Sequence, residues 1–113
     1  MDKHFKNIEF SKATELSALV NYQSGQVVSR TLSQGKAVSI TLFAFDEGEE
    51  IGSHDSEGDA MVYLLDGEAE ITIGGEVHHV KAGQTIVMPA RVQHALFAKK
   101  QFKMLLVVVF AQK

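Results

Sequence analysis

An all-β barrel or sandwich is the fold class this sequence predicts, and three observations carry the prediction. Nine glycines recur along the chain, and the runs between them are short and rich in Val, Ile, Thr and Phe. Several of those runs alternate polar with apolar residues, the repeat of a strand with one face buried. The one proline, Pro89, ends such a run, where a missing N–H does not interrupt a ladder. No internal repeat, linker or low-complexity tract breaks the rhythm.

The elements follow in order. Residues 1–20 read as an irregular lead-in. Ser11–Leu19 within it is compatible with one or two helical turns or with an edge strand. Gln26–Leu32 alternates, and Gln34-Gly35-Lys36 turns the chain. Ala37–Phe45 places Val38, Ile40, Leu42 and Ala44 on one face and Phe43 and Phe45 on the other. Apolar residues on both faces mean that the second face should also be covered, for instance by another subunit. Ala60–Leu65 and Ala69–Ile73 flank Asp66-Gly67, a short-turn signal, and Gly74-Gly75 leads into Glu76–Val80. Thr85–Met88, Gln93–Ala98 and Phe102–Phe110 complete the set, the last of them apolar on both faces.

Composition narrows the function classes. The 113 residues suit one domain, and 45% hydrophobic content suits a packed core. With no cysteine there is no disulfide or thiolate site, so His and carboxylate are the only strong metal ligands. A net charge of −3 speaks against a nucleic-acid partner. The longest apolar run, Met104–Ala111, is too short for a membrane helix, and the N-terminus resembles no secretion signal. The expectation is a cytoplasmic protein with neither nucleic acid nor membrane as partner.

Two stretches resemble the paired motifs of the cupin superfamily. Gly48, His54 and Gly67 stand at the spacing of the first motif, with Ser56 where its second His belongs and Ala60 where its Glu belongs. Gly83, Pro89 and His94 stand at the spacing of the second, with Arg91 in place of a Gly and Ala98 in place of an Asn. The resemblance implies one small cupin domain, a double-stranded β-helix or jelly-roll barrel, over residues 1–113. Metal-binding members hold Fe, Mn, Zn or a similar ion with three His and a Glu, of which only His54 and His94 remain here. A hydroxyl at Ser56 is a poor ligand for such an ion, and Ala60 offers none.

His54 and His94 are therefore the candidate metal pair, for one divalent transition ion such as Fe, Mn, Ni or Zn, with Asp59 as a substitute carboxylate. Glu57 is a weaker candidate, because Glu57-Gly58-Asp59 is also a natural turn sequence. His78 and His79 are adjacent and face opposite ways on a strand, so only one could reach the interior. His4 is discounted. His54, Ser56, Ala60, Met88, His94 and Phe97 are the expected ligand-binding residues, and Val62 and Leu64 suit either pocket wall or plain core. Nothing singles out Tyr22 or Tyr63 as an acid–base group. The expected function is binding of a small organic molecule inside the barrel, with a metal-dependent dioxygenase, isomerase or decarboxylase as the alternative. A homodimer is the expected assembly.

Overall fold

The computed structural model describes residues 3–112. Eight strands follow a short 3-10 helix at Leu16–Leu19: β1 (Val27–Gln34), β2 (Val38–Phe45), β3 (Glu50–His54), β4 (Asp59–Ile73), β5 (Glu76–Lys81), β6 (Thr85–Met88), β7 (His94–Phe97) and β8 (Phe102–Val109). All pairings are antiparallel. One ladder runs β1–β2–β8–β4–β6 and the other β3–β7–β4–β5, so β4 belongs to both.

β4 corrects the expected turn at Asp66-Gly67. No hairpin forms there; one strand of 15 residues runs from Asp59 to Ile73. Its register against β8 slips between Leu64 and Asp66, a bulge that bends the strand from one ladder into the other. Gly67 makes the bend possible. Its φ is +75°, and a Cβ there would lie 2.2 Å from the Gln101 carbonyl oxygen. At Gly74-Gly75 the expected hairpin does form, with Ile73 paired to Glu76 across two left-handed glycines.

Inside the curled sheet lies the main core. Phe45 and Phe102 are direct ladder partners, fully buried, with stacked rings 4.4 Å apart. Val62, Leu64, Ile71 and Met104 pack around them. The outward face of β2 is covered in part, and by the chain itself. Leu42 and Ala44 are buried beneath Ile8, Leu16, Leu19, Val20 and Tyr22 of the N-terminal segment. Polar ties fasten that segment down. Arg30 donates to the carbonyls of Asn7 (2.8 Å) and Leu19 (2.9 Å), and Lys103 donates to Ser17 (2.7 Å). Beyond the reach of the segment, Met61, Tyr63, Val87 and Val109 stay 40–54% exposed on the outer surface of β4, β6 and β8.

Candidate functional site

His54 ends β3 and His94 begins β7, and the two are direct partners across the ladder. They are neighbours in one sheet, on adjacent strands. Paired residues share a face, so the rings meet. His94 Nε2 and His54 Nε2 are 3.1 Å apart. His94 is 3% exposed and faces inward with Leu96 and Ala98, whereas His54 is exposed at the mouth.

Backbone carbonyls set the tautomer of each ring. His54 Nδ1 lies 2.9 Å from the Gly52 oxygen and His94 Nδ1 lies 3.3 Å from the Val92 oxygen. A carbonyl only accepts, so each Nδ1 carries the proton. In that tautomer each Nε2 bears a lone pair, and the two Nε2 atoms, 3.1 Å apart, face one region. Burial, and next the neighbouring His54, push the His94 pKa below its ordinary value of 6.5. Lower dielectric disfavours the charged form, which favours the neutral imidazole at His94. The two carbonyls are functional groups that the sequence hides, since their only signal is a position two residues before each His.

The other candidates divide. Ala60 and Met88 are ladder partners, each 2% exposed, on the interior side. Ser56 lies past the end of β3, and its hydroxyl accepts from Gly58 N–H at 3.2 Å. Asp59 is corrected as a metal ligand. As the residue before inward Ala60 it points outward, and it accepts a hydrogen bond from Ala90 N–H at 2.8 Å. Phe97 is corrected as a pocket wall for the same reason of parity. It pairs with outward Glu70, whereas Leu96 pairs with buried Ile71.

Glu57 faces Arg91, with Oε2 3.7 Å from Nε and both side chains exposed. His78 shares the inward parity of Ile71 but sits on β5, with β4 between it and β7. His79 points the other way. Among the described residues no group of three or more His, Cys, Asp or Glu comes together. Tyr22 donates to Asp66 on the outside of the sheet; burial, then that bond, raise its pKa far above 10.0, which leaves it unsuited to acid–base work. Tyr63 is 40% exposed on the outer face.

The loops leaving β3 and entering β7 are stitched together beside the pair. Arg91 N–H donates to the Ser56 carbonyl at 2.8 Å, alongside the Ala90–Asp59 bond. Arg91 has a φ of +62°, the left-handed conformation for which the motif's glycine is suited. A surface cleft of about 540 Å³ lies elsewhere, lined by Glu68, Glu70, His79, Lys99 and Lys100. It is a mixed-charge hollow on the outer face, and no reactive group converges on it.

Comparison with known proteins agrees with the geometry. Residues 41–110 match the cupin domain family. A conserved protein of unknown function from Streptococcus pyogenes is 49% identical over 99% of this chain and 98% of its own, with a TM-score of 0.96. A cupin superfamily protein from Desulfitobacterium hafniense is 30% identical over 96% of this chain and all of its own, with a TM-score of 0.91. A cupin 2 conserved barrel domain protein from Leptotrichia buccalis is 38% identical, and this chain spans 46% of that longer one, with a TM-score of 0.82. No curated protein matches. The chain belongs to the cupin family, with the all-β jelly-roll fold of that family. No helix among its described residues is long and apolar enough to cross a membrane.

Proposed function

We propose that this chain is a small-molecule-binding cupin in which His54 and His94 hold one divalent transition ion, and that the ion anchors the organic ligand at the barrel mouth. The convergence of the two Nε2 lone pairs carries this reading. Two acceptors 3.1 Å apart repel unless something positive lies between or beside them. The spacing suits an ion, because two imidazole nitrogens bound about 2.0–2.1 Å from one centre, and adjacent in its shell, sit roughly 2.9–3.4 Å apart. Imidazole suits Fe, Ni and Zn better than Mn, which favours oxygen donors. An ion so held supplies Lewis-acid polarisation of a bound oxygen. Binding is favoured over catalysis because the other candidate residues are committed or inert: the Ser56 hydroxyl and Asp59 carboxylate accept backbone bonds, and Ala60 and Met88 carry no proton to move.

Metal content tests this. Protein purified without chelator should carry near-stoichiometric Fe, Mn, Ni or Zn by elemental mass spectrometry. His54→Ala and His94→Ala should each abolish uptake while keeping the β-sheet circular dichroism. Unchanged uptake in both variants would defeat the site.

The same reading includes a homodimer in the cytoplasm. Met61 pairs laterally with Val87 and Val107, and Val107 with Ile40, so the exposed residues form one continuous apolar face across β2, β8, β4 and β6. Asp59 borders this face beside Val109 and accepts a hydrogen bond from Ala90 N–H. Light scattering should give a dimer mass at micromolar concentration, and Met61→Lys should give a monomer. A monomeric parent protein overturns the assignment.

A further inference from the structure

We infer that a second binding site lies between β4 and the loop formed by residues 99–101, and that it takes a free dipeptide, a zwitterion with its charges at opposite ends. The site is the cleft of about 540 Å³ on the outer face, which neither His54 nor His94 lines. That size falls within the range of small-ligand pockets. Its origin is a mismatch in length between neighbouring stretches of chain. Gly67 pairs with Phe102 and Glu70 with Phe97, so Glu68 and Ala69 on β4 span the same interval as residues 98–101. The surplus residues arch away from β4, and the cleft lies between the two, lined by both.

Hydrogen bonds fix the arch at both ends. Ala98 stays bonded to the chain on its other side: its N–H donates to the Glu49 carbonyl (2.9 Å), and its carbonyl accepts from Gly48 N–H (2.7 Å). At the far end Gln101 Nε2 donates to Asp46 at 2.9 Å. On the β4 lip the Gly67 carbonyl accepts from Ala82 N–H at 3.0 Å. A cleft held open in this way needs little ordering on binding, which lowers the entropic cost.

Charge defines the occupant. Glu68 and Glu70 stand on the β4 lip, and Lys99 and Lys100 on the arch. None of the four is in an ion pair; among the described residues the ion pairs are Lys12–Glu9 and Arg91–Glu57. The two signs cancel, so the cleft as a whole attracts neither a simple anion nor a simple cation. A molecule with an ammonium at one end and a carboxylate at the other satisfies both lips at once. Length favours a dipeptide over a single amino acid. Neighbouring strands lie about 4.8 Å apart where they pair, and here they have parted. An extended dipeptide reaches about 7 Å. Each contact is a solvent-exposed ion pair, so the affinity falls in the millimolar range.

The test follows the backbone amide NMR signals of the full ¹⁵N-labelled chain, which also report whether each variant is folded. Alanyl-alanine should shift the signals of residues 67–70 and 99–101 saturably. N-acetyl-alanyl-alanine, which lacks the ammonium, and alanyl-alanine amide, which lacks the carboxylate, should each bind about tenfold more weakly. Glu68→Gln combined with Glu70→Gln should weaken alanyl-alanine by the same factor and leave the acetylated peptide unaffected. Lys99→Gln combined with Lys100→Gln should do likewise, leaving the amide unaffected. No saturable shift, or equal responses to the three peptides, overturns the inference and identifies the four charges as a solvated surface. Undiminished binding in both double variants overturns it as well. Binding should persist in His54→Ala, so this site and the histidine site stand or fall separately; its loss in the folded His54→Ala protein would place the peptide at the barrel mouth and overturn the inference.

Discussion

Gly67 and Arg91 both hold left-handed backbone, with φ of +75° and +62°, near opposite ends of β7. Gly67 packs against Gln101 and Phe102, which follow that strand, and even a methyl group there would collide with main chain. Arg91 lies in the loop before it, among exposed side chains, and carries a full side chain with its N–H bonded to Ser56. The first position is dictated by space as well as dihedral angle, the second by dihedral angle alone. Where only the dihedral is constrained, a glycine can be replaced at a cost of about 1–2 kcal/mol; where backbone fills the space, it cannot.

The largest expected effect follows from the crowded end. Gly67→Ala must move the Gln101 carbonyl or straighten the bulge in β4, and should destabilise the protein by about 3 kcal/mol or more in urea unfolding. A loss below about 1 kcal/mol would mean that the bend is set by something other than this glycine.

At the other end the sign reverses. Arg91→Gly relieves the left-handed strain but loosens the unfolded chain, so the net gain should be about 0.5 kcal/mol. The exposed contact with Glu57 contributes little against this. A clear loss of stability would show that the Arg91 side chain does more for the loop than its surface ion pair suggests.

The smallest effect lies near the crowded end, in the loops beyond β2 and β7. Asp46 accepts from Gln101 Nε2 (2.9 Å) and Gly25 N–H (2.7 Å), which hold its pKa below the ordinary 3.8. A carboxyl depressed by folding stabilises above its unfolded pKa, and that contribution is lost as pH falls through the folded value. The acid limb of a stability–pH curve should therefore be shallower below about pH 4 in Asp46→Asn than in the parent. Identical limbs would show that these bonds do not survive in solution.

The comparison also explains what could be read from the sequence. Glycine spacing marked the true hairpin at Gly74-Gly75 and the two motifs, because a left-handed residue leaves a trace in composition. It could not separate a turn from a bulge at Asp66-Gly67, since both use the same dihedral. Only the later strand β8, paired along most of β4, decides between them. Parity errors had a different source. Asp59 stands one residue from inward Ala60 and Phe97 three from inward His94, and on a strand an odd offset reverses the face.

The histidines themselves were legible as a pair from motif spacing. Their meeting on neighbouring strands was not, because β3 is short and its register shifts before His54. Two-faced hydrophobicity in β2 correctly demanded a cover, yet nothing in the strand could reveal that residues 8–22 provide part of it.

The double membership of β4 has a consequence for how the chain reaches this state. Asp59 pairs with Val109, and Gly67 with Phe102, so the ladder β1–β2–β8–β4–β6 is not complete until β8 has been synthesised and docked. The short-range hairpin β4–β5 can form early, but most of the sheet waits on contacts between distant parts of the chain. Such topologies fold on the millisecond-to-second scale. A nascent chain still lacking β8 would expose the interior edge of β4, so the segment most at risk during synthesis is the one that afterwards lies at the centre of the barrel.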